Sequence, residues 1–102
     1  MIIVNSDAAW GMERPVFYQA FGPDNDVEVK WGQVRFDKIA EGYGAHGEYV
    51  ERTADIGPAV ERAFAAGRPA VVQVAVDPLV NALQAPHTAE FITWYTGGGY
   101  AA

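Results

Sequence analysis

The chain opens on an apolar run, Ile2-Ile3-Val4, that breaks at once into Asn5, Ser6 and Asp7. A short continuous apolar run bounded by turn residues reads as a buried strand. Polar residues gathered where such a strand ends face a ligand crevice in open α/β sheets. Val71 to Val76 is the clearest strand, near-continuously apolar, opened by Gly67-Arg68-Pro69 and closed by Asp77-Pro78. Both runs suit parallel strands covered on both faces. Glu48 to Glu51 is a shorter candidate. Two helical stripes lie between them. Phe36, Ile39, Ala40 and Tyr43 recur at i, i+3, i+4 and i+7, with Gly44 where a C-cap belongs. Ile56, Val60, Ala63 and Phe64 form the second stripe, with Glu61 and Arg62 on the opposite face. Thr53 or Asp55 can cap this helix and Gly67 ends it. Pro58 belongs in a first turn, which favours a start near Asp55.

Strand, long excursion, helix, strand, helix, strand is the order of an α/β fold. It predicts a partial open parallel sheet of about three to four strands with right-handed crossover helices. Residues 13 to 35 carry no clear pattern beyond a turn at Gly22-Pro23-Asp24-Asn25-Asp26 and an alternation from Val27 to Trp31 that suits a short edge strand. From Asn81 to Ala102 the chain reads as a tail with one short helix around Thr88 to Tyr95, followed by Gly97-Gly98-Gly99. Three buried-type strands and two helices make a poor independent core. Some of the covering layers are expected from another segment or another chain.

Composition narrows the function classes. At 102 residues the chain holds one small domain at most. Half of it is hydrophobic, with 5 Phe, 5 Tyr and 3 Trp, so it is globular rather than disordered. A formal charge of −6 and a pI near 4.6 argue against nucleic acid, which calls for clustered Lys and Arg. No apolar run is long enough for a membrane helix and no secretory leader is visible. Without cysteine there are no disulfides, thiolate metal sites or Cys nucleophiles. A soluble cytoplasmic protein is the expectation.

Three stretches, "IIVNSDAAWGMER", "VRFDKIAEGYGAHGEYVER" and "DIGPAVERAFAAGRPAVVQVAVDP", together carry a resemblance. In this order and spacing they resemble the diphosphate-binding domain of acetolactate-synthase-like thiamine-diphosphate-dependent enzymes. The resemblance runs from about Met1 to Pro78, in the last of that family's three domains. It implies that residues 1–80 form the second half of a thiamine-diphosphate-binding domain, with 81–102 as the tail. It also implies thiamine diphosphate and Mg²⁺ as cofactors, bound at the carboxyl ends of strands. The family motif begins with Gly-Asp-Gly, whose Asp binds the metal. It finishes with Asn-Asn after a strand, where the second Asn and a backbone carbonyl two residues on are ligands. Mg²⁺ takes few protein oxygens and shares the rest with phosphates and water.

No Gly-Asp-Gly occurs in this chain, and Asn5-Ser6-Asp7 stands in place of Asn-Asn. Counted from the strand end, Ser6 falls at the ligand position with the Ala8 carbonyl. Counted back from Ala9-Trp10-Gly11, Asp7 falls there with the Ala9 carbonyl. Hydroxyls and carboxylates both serve Mg²⁺. Asn5, Trp10, Gly11 and Met12 are the candidate cofactor contacts, the last two through backbone N–H groups near a helix start. The bland alternative is that Asn5 to Asp7 only turn the chain. The family also needs an activating carboxylate from another domain, so this chain is not expected to be a complete enzyme. The resemblance implies a decarboxylase or carboligase completed by a chain carrying Gly-Asp-Gly and that carboxylate. The alternatives are a non-catalytic relative serving as an interaction or oligomerisation module, with a homo-oligomer as its form, and an independent binder of a small anion. His46 and His87 sit in no motif, and the alternating Asp24, Asp26 and Glu28 read as a solvated loop rather than a calcium site.

Overall fold

A computed structural model describes residues 1–24, 28–80, 86–87, 89–90 and 93. The elements run β1 (Ile2–Ser6), α1 (Glu13–Phe21), α2 (Phe36–Gly42), β2 (His46–Val50), α3 (Thr53–Ala65) and β3 (Ala70–Ala75). They divide between two compact units, Met1–Ala8 with Trp31–Asp77 and Ala9–Lys30 with Pro78–Ala102.

The first unit is the α/β portion. Its three strands are all parallel, in the order β1-β3-β2. The crossover from β1 to β2 steps across β3, and the crossover from β2 to β3 steps back. Two right-handed crossovers in opposite directions put their helices on opposite faces. The pleat shows this directly. Ala70, Val72 and Val74 of β3 join Val50 of β2 and Ala59 and Ala63 of α3 in one apolar cluster, with Ile56 packed against it. On the other face Gln73 meets the start of α2, and Gly47 backs onto Asp37. Ala59 and Ala63, four apart on α3, are small enough to bring the helix close to the sheet, and Ala59 and Val72 are fully buried.

β1 is different. It lies at the sheet edge, and both helices pack chiefly on β2 and β3. Ile2 (63 % exposed) and Ile3 (51 %) point to opposite faces, and each is open to solvent. The expectation of a strand covered on both faces therefore holds for β3 and not for β1 within this chain.

Several boundaries shift. β1 continues through Asn5 and Ser6, which pair with Val74 and Ala75, because backbone ladder bonds form regardless of side-chain polarity. β2 starts at His46 rather than Glu48. α3 starts at Thr53 with Arg52 as its N-cap residue and no side-chain cap; Arg52 instead holds the Asp55 carboxylate at 2.7 and 3.0 Å. Pro58 thus falls in the second turn, where Ala54 and Pro58 are both exposed and water can serve the Ala54 carbonyl. Gly44 (φ +83) and Gly67 (φ +62) adopt the left-handed conformation that ends helices.

In the second unit, α1 occupies part of the patternless stretch. Pro15 sits in its first turn, where no N–H is needed. Phe17 and Phe21 meet one turn apart with their rings tilted at 60° and centroids at 5.8 Å, and Arg14 donates to Tyr18 Oη at 2.6 Å and to the Pro78 carbonyl at 3.4 Å. The expected edge strand from Val27 to Trp31 reduces, among the described residues, to one antiparallel bridge between Ala9 and Lys30, preceded by Glu28 at φ +62. Val27 lies outside the described residues. So does most of the helix expected around Thr88 to Tyr95, of which Ala89, Glu90 and Thr93 are helical, and all of Gly97 to Gly99.

Candidate functional site

Parallel strands share one carboxyl end, and open α/β sheets bind ligands there. In the first unit that end carries Asn5, Ser6, Asp7 and Ala8. The pleat sends Asn5 and Ser6 to opposite faces. Asn5 is exposed on the α3 side, and Ser6 is 7 % exposed on the α2 side, in line with Val4 and the row of Gln73. The Ser6 carbonyl accepts from Val76 N–H at 3.0 Å, extending the ladder one step beyond β3. Asp7 is half-buried. Ala8 then turns the chain with φ +56, a left-handed conformation that an alanine adopts only when its surroundings hold it. Its carbonyl accepts from Trp31 N–H at 3.0 Å.

Ala9, Trp10, Gly11 and Met12 belong to the second unit. Ala9 is buried, whereas Trp10 (61 %) and Met12 (56 %) are exposed. Trp10 N–H donates to the Val29 carbonyl at 2.8 Å. The Trp10 carbonyl accepts from Glu13 and Arg14 N–H at 2.9 and 3.2 Å, so the first two N–H groups of α1 are already spent. Glu13 also places an acidic side chain in that first turn. Any phosphate at this helix start would have to rely on Gly11 and Met12.

The donor set at the end of β1 is a hydroxyl, a carboxylate and backbone carbonyls, all hard oxygens of the kind Mg²⁺ takes. Among the described residues no group of three or more His, Cys, Asp or Glu could hold a metal by itself. These residues fit a metal that takes its other oxygens from phosphate and water.

Further ionic pairs lie elsewhere in the first unit. Arg35 grips Asp37 with two bonds of 2.8 and 2.7 Å, which holds the buried carboxyl below the usual carboxylate range, and its guanidinium lies 4.1 Å from the Tyr49 ring centroid. Glu48 is lowered chiefly by Arg62 at 2.9 and 3.0 Å and next by His46 at 2.8 Å. His46 is thus a strand residue paired with Glu48. His87 is exposed and pairs with Glu90. Asp24 and Glu28 are exposed, and Asp26 lies outside the described residues.

One residue at the heart of the sheet escapes a pattern-based reading. Gln73 is 0 % exposed in the central strand, with both ends of its amide engaged by the segment leading into α2. Its signal is a single amide inside an otherwise apolar strand, since a buried amide must find partners.

Comparison with known proteins bears on this arrangement. The model of the thiamine pyrophosphate enzyme C-terminal TPP binding domain matches residues 1–74. A large subunit of acetolactate synthase from Mycobacterium tuberculosis and a probable acetolactate synthase from Mycobacterium bovis are each 38 % identical to this chain over 78 residues. That is 76 % of this chain but 14 % of either relative. No helix among the described residues is long and apolar enough to cross a membrane.

Proposed function

The chain belongs to the family of the C-terminal TPP binding domain of thiamine pyrophosphate enzymes, and on that premise we propose that it supplies one part of a thiamine-diphosphate and Mg²⁺ site completed by another polypeptide. One observation carries this reading. The family match covers the strand whose carboxyl end presents Ser6, Asp7 and the turn at Ala8. When bound, the cofactor supplies the electron sink for breaking or making a carbon–carbon bond next to a carbonyl. This chain's share is to bind and orient. Ser6 with the Ala8 carbonyl, or Asp7 with the Ala9 carbonyl, would hold the metal, while Gly11 and Met12 N–H would meet diphosphate oxygens. Asn5 and Trp10 complete the proposed cofactor contacts.

The completing partner would bring the missing Gly-Asp-Gly motif and the activating carboxylate. The solvent-open edge strand β1 supports the need for such a partner. Decarboxylase or carboligase activity, a cytoplasmic setting and an assembly of more than one chain all belong to this proposal. The open edge also favours a second reading, a non-catalytic relative that associates through β1.

Calorimetry distinguishes the two. The chain alone should give no measurable heat with thiamine diphosphate and Mg²⁺, and the complex recovered with its partner should bind both. Within the complex, Ser6→Ala or Asp7→Ala should weaken the Mg²⁺ dependence sharply, and which of them does so identifies the ligand. A stable complex that binds no cofactor would establish the non-catalytic reading. Tight binding by the chain alone would refute the need for completion.

A further inference from the structure

Gln73 stands in the middle of β3 with no solvent access. Its Oε1 accepts from Phe36 N–H at 2.8 Å and, more weakly, from Asp37 N–H at 3.4 Å. Its Nε2 donates to the Val34 carbonyl at 2.8 Å. Phe36 and Asp37 are the first two residues of α2, and the N-cap residue Arg35 makes no side-chain cap bond. The cap of α2 is therefore supplied from the sheet, 37 residues down the chain, by an amide that accepts and donates at once. Such a clamp fixes the segment from Val34 to Asp37.

Three residues before Val34, Trp31 donates its N–H to the Ala8 carbonyl. Ala8 thus has one hydrogen bond from Trp31, which leads into the clamped segment, and Ser6, two residues earlier, has another from Val76 just past β3. Between these two anchors Ala8 keeps a φ of +56, a conformation an alanine leaves unless held. Gln73 also shares its face of the sheet with Ser6, because Gln73 registers with Val4 and Ala75 with Ser6.

We infer that Gln73 is a positioning residue for the Ser6–Ala8 turn, acting through the 31–37 segment. Only for the identity of what the turn holds does this rest on the proposed cofactor reading. A carboxylate at position 73 accepts the two N–H bonds but has no proton for the Val34 carbonyl. A protonated carboxyl has one. A thioether of similar length fills the space and does neither.

Amide hydrogen exchange on the full chain, without cofactor, tests this. In Gln73→Met the Trp31 amide should lose at least about tenfold in protection relative to the Val72 amide, the equivalent of one lost buried hydrogen bond. In Gln73→Glu the same loss should appear at neutral pH and be recovered at acidic pH, where the carboxyl regains its proton. A role confined to filling volume would not produce that recovery. Trp31 protection that is unchanged, or that falls only in step with Val72 in both variants, overturns the inference. The outcome separates from the cofactor reading. Loosening of Trp31 in a protein whose complex binds no cofactor would leave the positioning role standing and remove the function.

Discussion

Gly47→Ala should destabilise the chain by about 2–6 kcal/mol, and the reason is one backbone contact. Gly47 lies in β2 opposite Val71, on the side of the sheet that α2 covers. A Cβ there collides with Asp37 O, lies 2.9 Å from the Asp37 carbonyl carbon and 3.1 Å from Glu41 Cγ. Glu41 can swing away. The Asp37 backbone cannot move freely, because Gln73 holds its N–H and Arg35 its carboxylate. To restore ordinary contact at 3.4 Å with the Asp37 carbonyl oxygen, the nearest atom, the first turn of α2 must retreat by about one ångström. That stretches the 2.8 Å bond from Phe36 to Gln73 and breaks the 3.4 Å bond from Asp37. Overpacking of this kind costs about 1–3 kcal/mol. A buried amide left short of a partner costs about 1–3 kcal/mol more. The matched control is Gly42→Ala at the end of α2, where an added Cβ meets nothing within 4 Å and the helix gains up to about 1 kcal/mol from propensity. The two alanines should therefore move a urea midpoint in opposite directions, read by far-ultraviolet circular dichroism, with a gap of about 1–3 M. If Gly47→Ala stays within about 0.5 kcal/mol of the parent, as a surface substitution would, the account of how α2 seats on the sheet is wrong.

Acid should act through Asp37 and Glu48. Both are held below the usual carboxylate range in the folded chain, Asp37 by Arg35 and Glu48 by Arg62 and then His46, so the unfolded chain takes up their protons first as pH falls. Their contribution is complete above the ordinary carboxylate range and is lost as pH drops through it towards the folded values. Urea midpoints measured from about pH 7 down to about pH 3 should fall, and Asp37→Asn should start lower and flatten that limb; an unchanged slope would remove Asp37 from the account. Ala8→Gly relieves a left-handed alanine worth roughly 1–2 kcal/mol against a glycine entropy cost of roughly 0.5–1 kcal/mol, so the melting temperature should rise slightly. A fall would mean that the Ala8 methyl packs well enough to outweigh the strain.

Much of the α/β portion is legible in the chain because its signals are local. The spacing of Phe36, Ile39, Ala40 and Tyr43 and the left-handed Gly44 give α2 to within a residue or two, and the β-branched density of Val71 to Val76 gives β3 to within one. The errors come where distant partners decide. Asn5 and Ser6 look like turn residues, but the ladder with Val74 and Ala75 draws their backbone into β1. α1 hides because Pro15 interrupts the start of its pattern, although a first turn tolerates it. Gln73 is visible as a lone amide, yet which backbone groups it clamps depends on a segment 36 to 39 residues away. The motif residues from Asn5 to Met12 are recognisable as a string. Their separate environments, a buried Ser6, an exposed Trp10 and a left-handed Ala8, follow only from the fold.

Under the proposed reading, the open edge of β1 ties the site to association. Because the Ser6 carbonyl bonds to Val76, the backbone groups of Ile2, Val4 and Ser6 face β3, and parallel alternation turns those of Ile3 and Asn5 to the opposite edge. No charged residue stands in β1 to discourage a further strand, and its isoleucines are exposed on both faces. A strand added there would run past Asn5, next to the Ser6–Ala8 turn, and the layers that come with it would cover Ile2 and Ile3. The surface that recruits the partner and the turn that holds the metal are then two ends of one short stretch, Ile2 to Ala8. Anything that binds only the completed site must then strengthen the association by the same factor by which association strengthens its binding, since the two equilibria share one thermodynamic cycle.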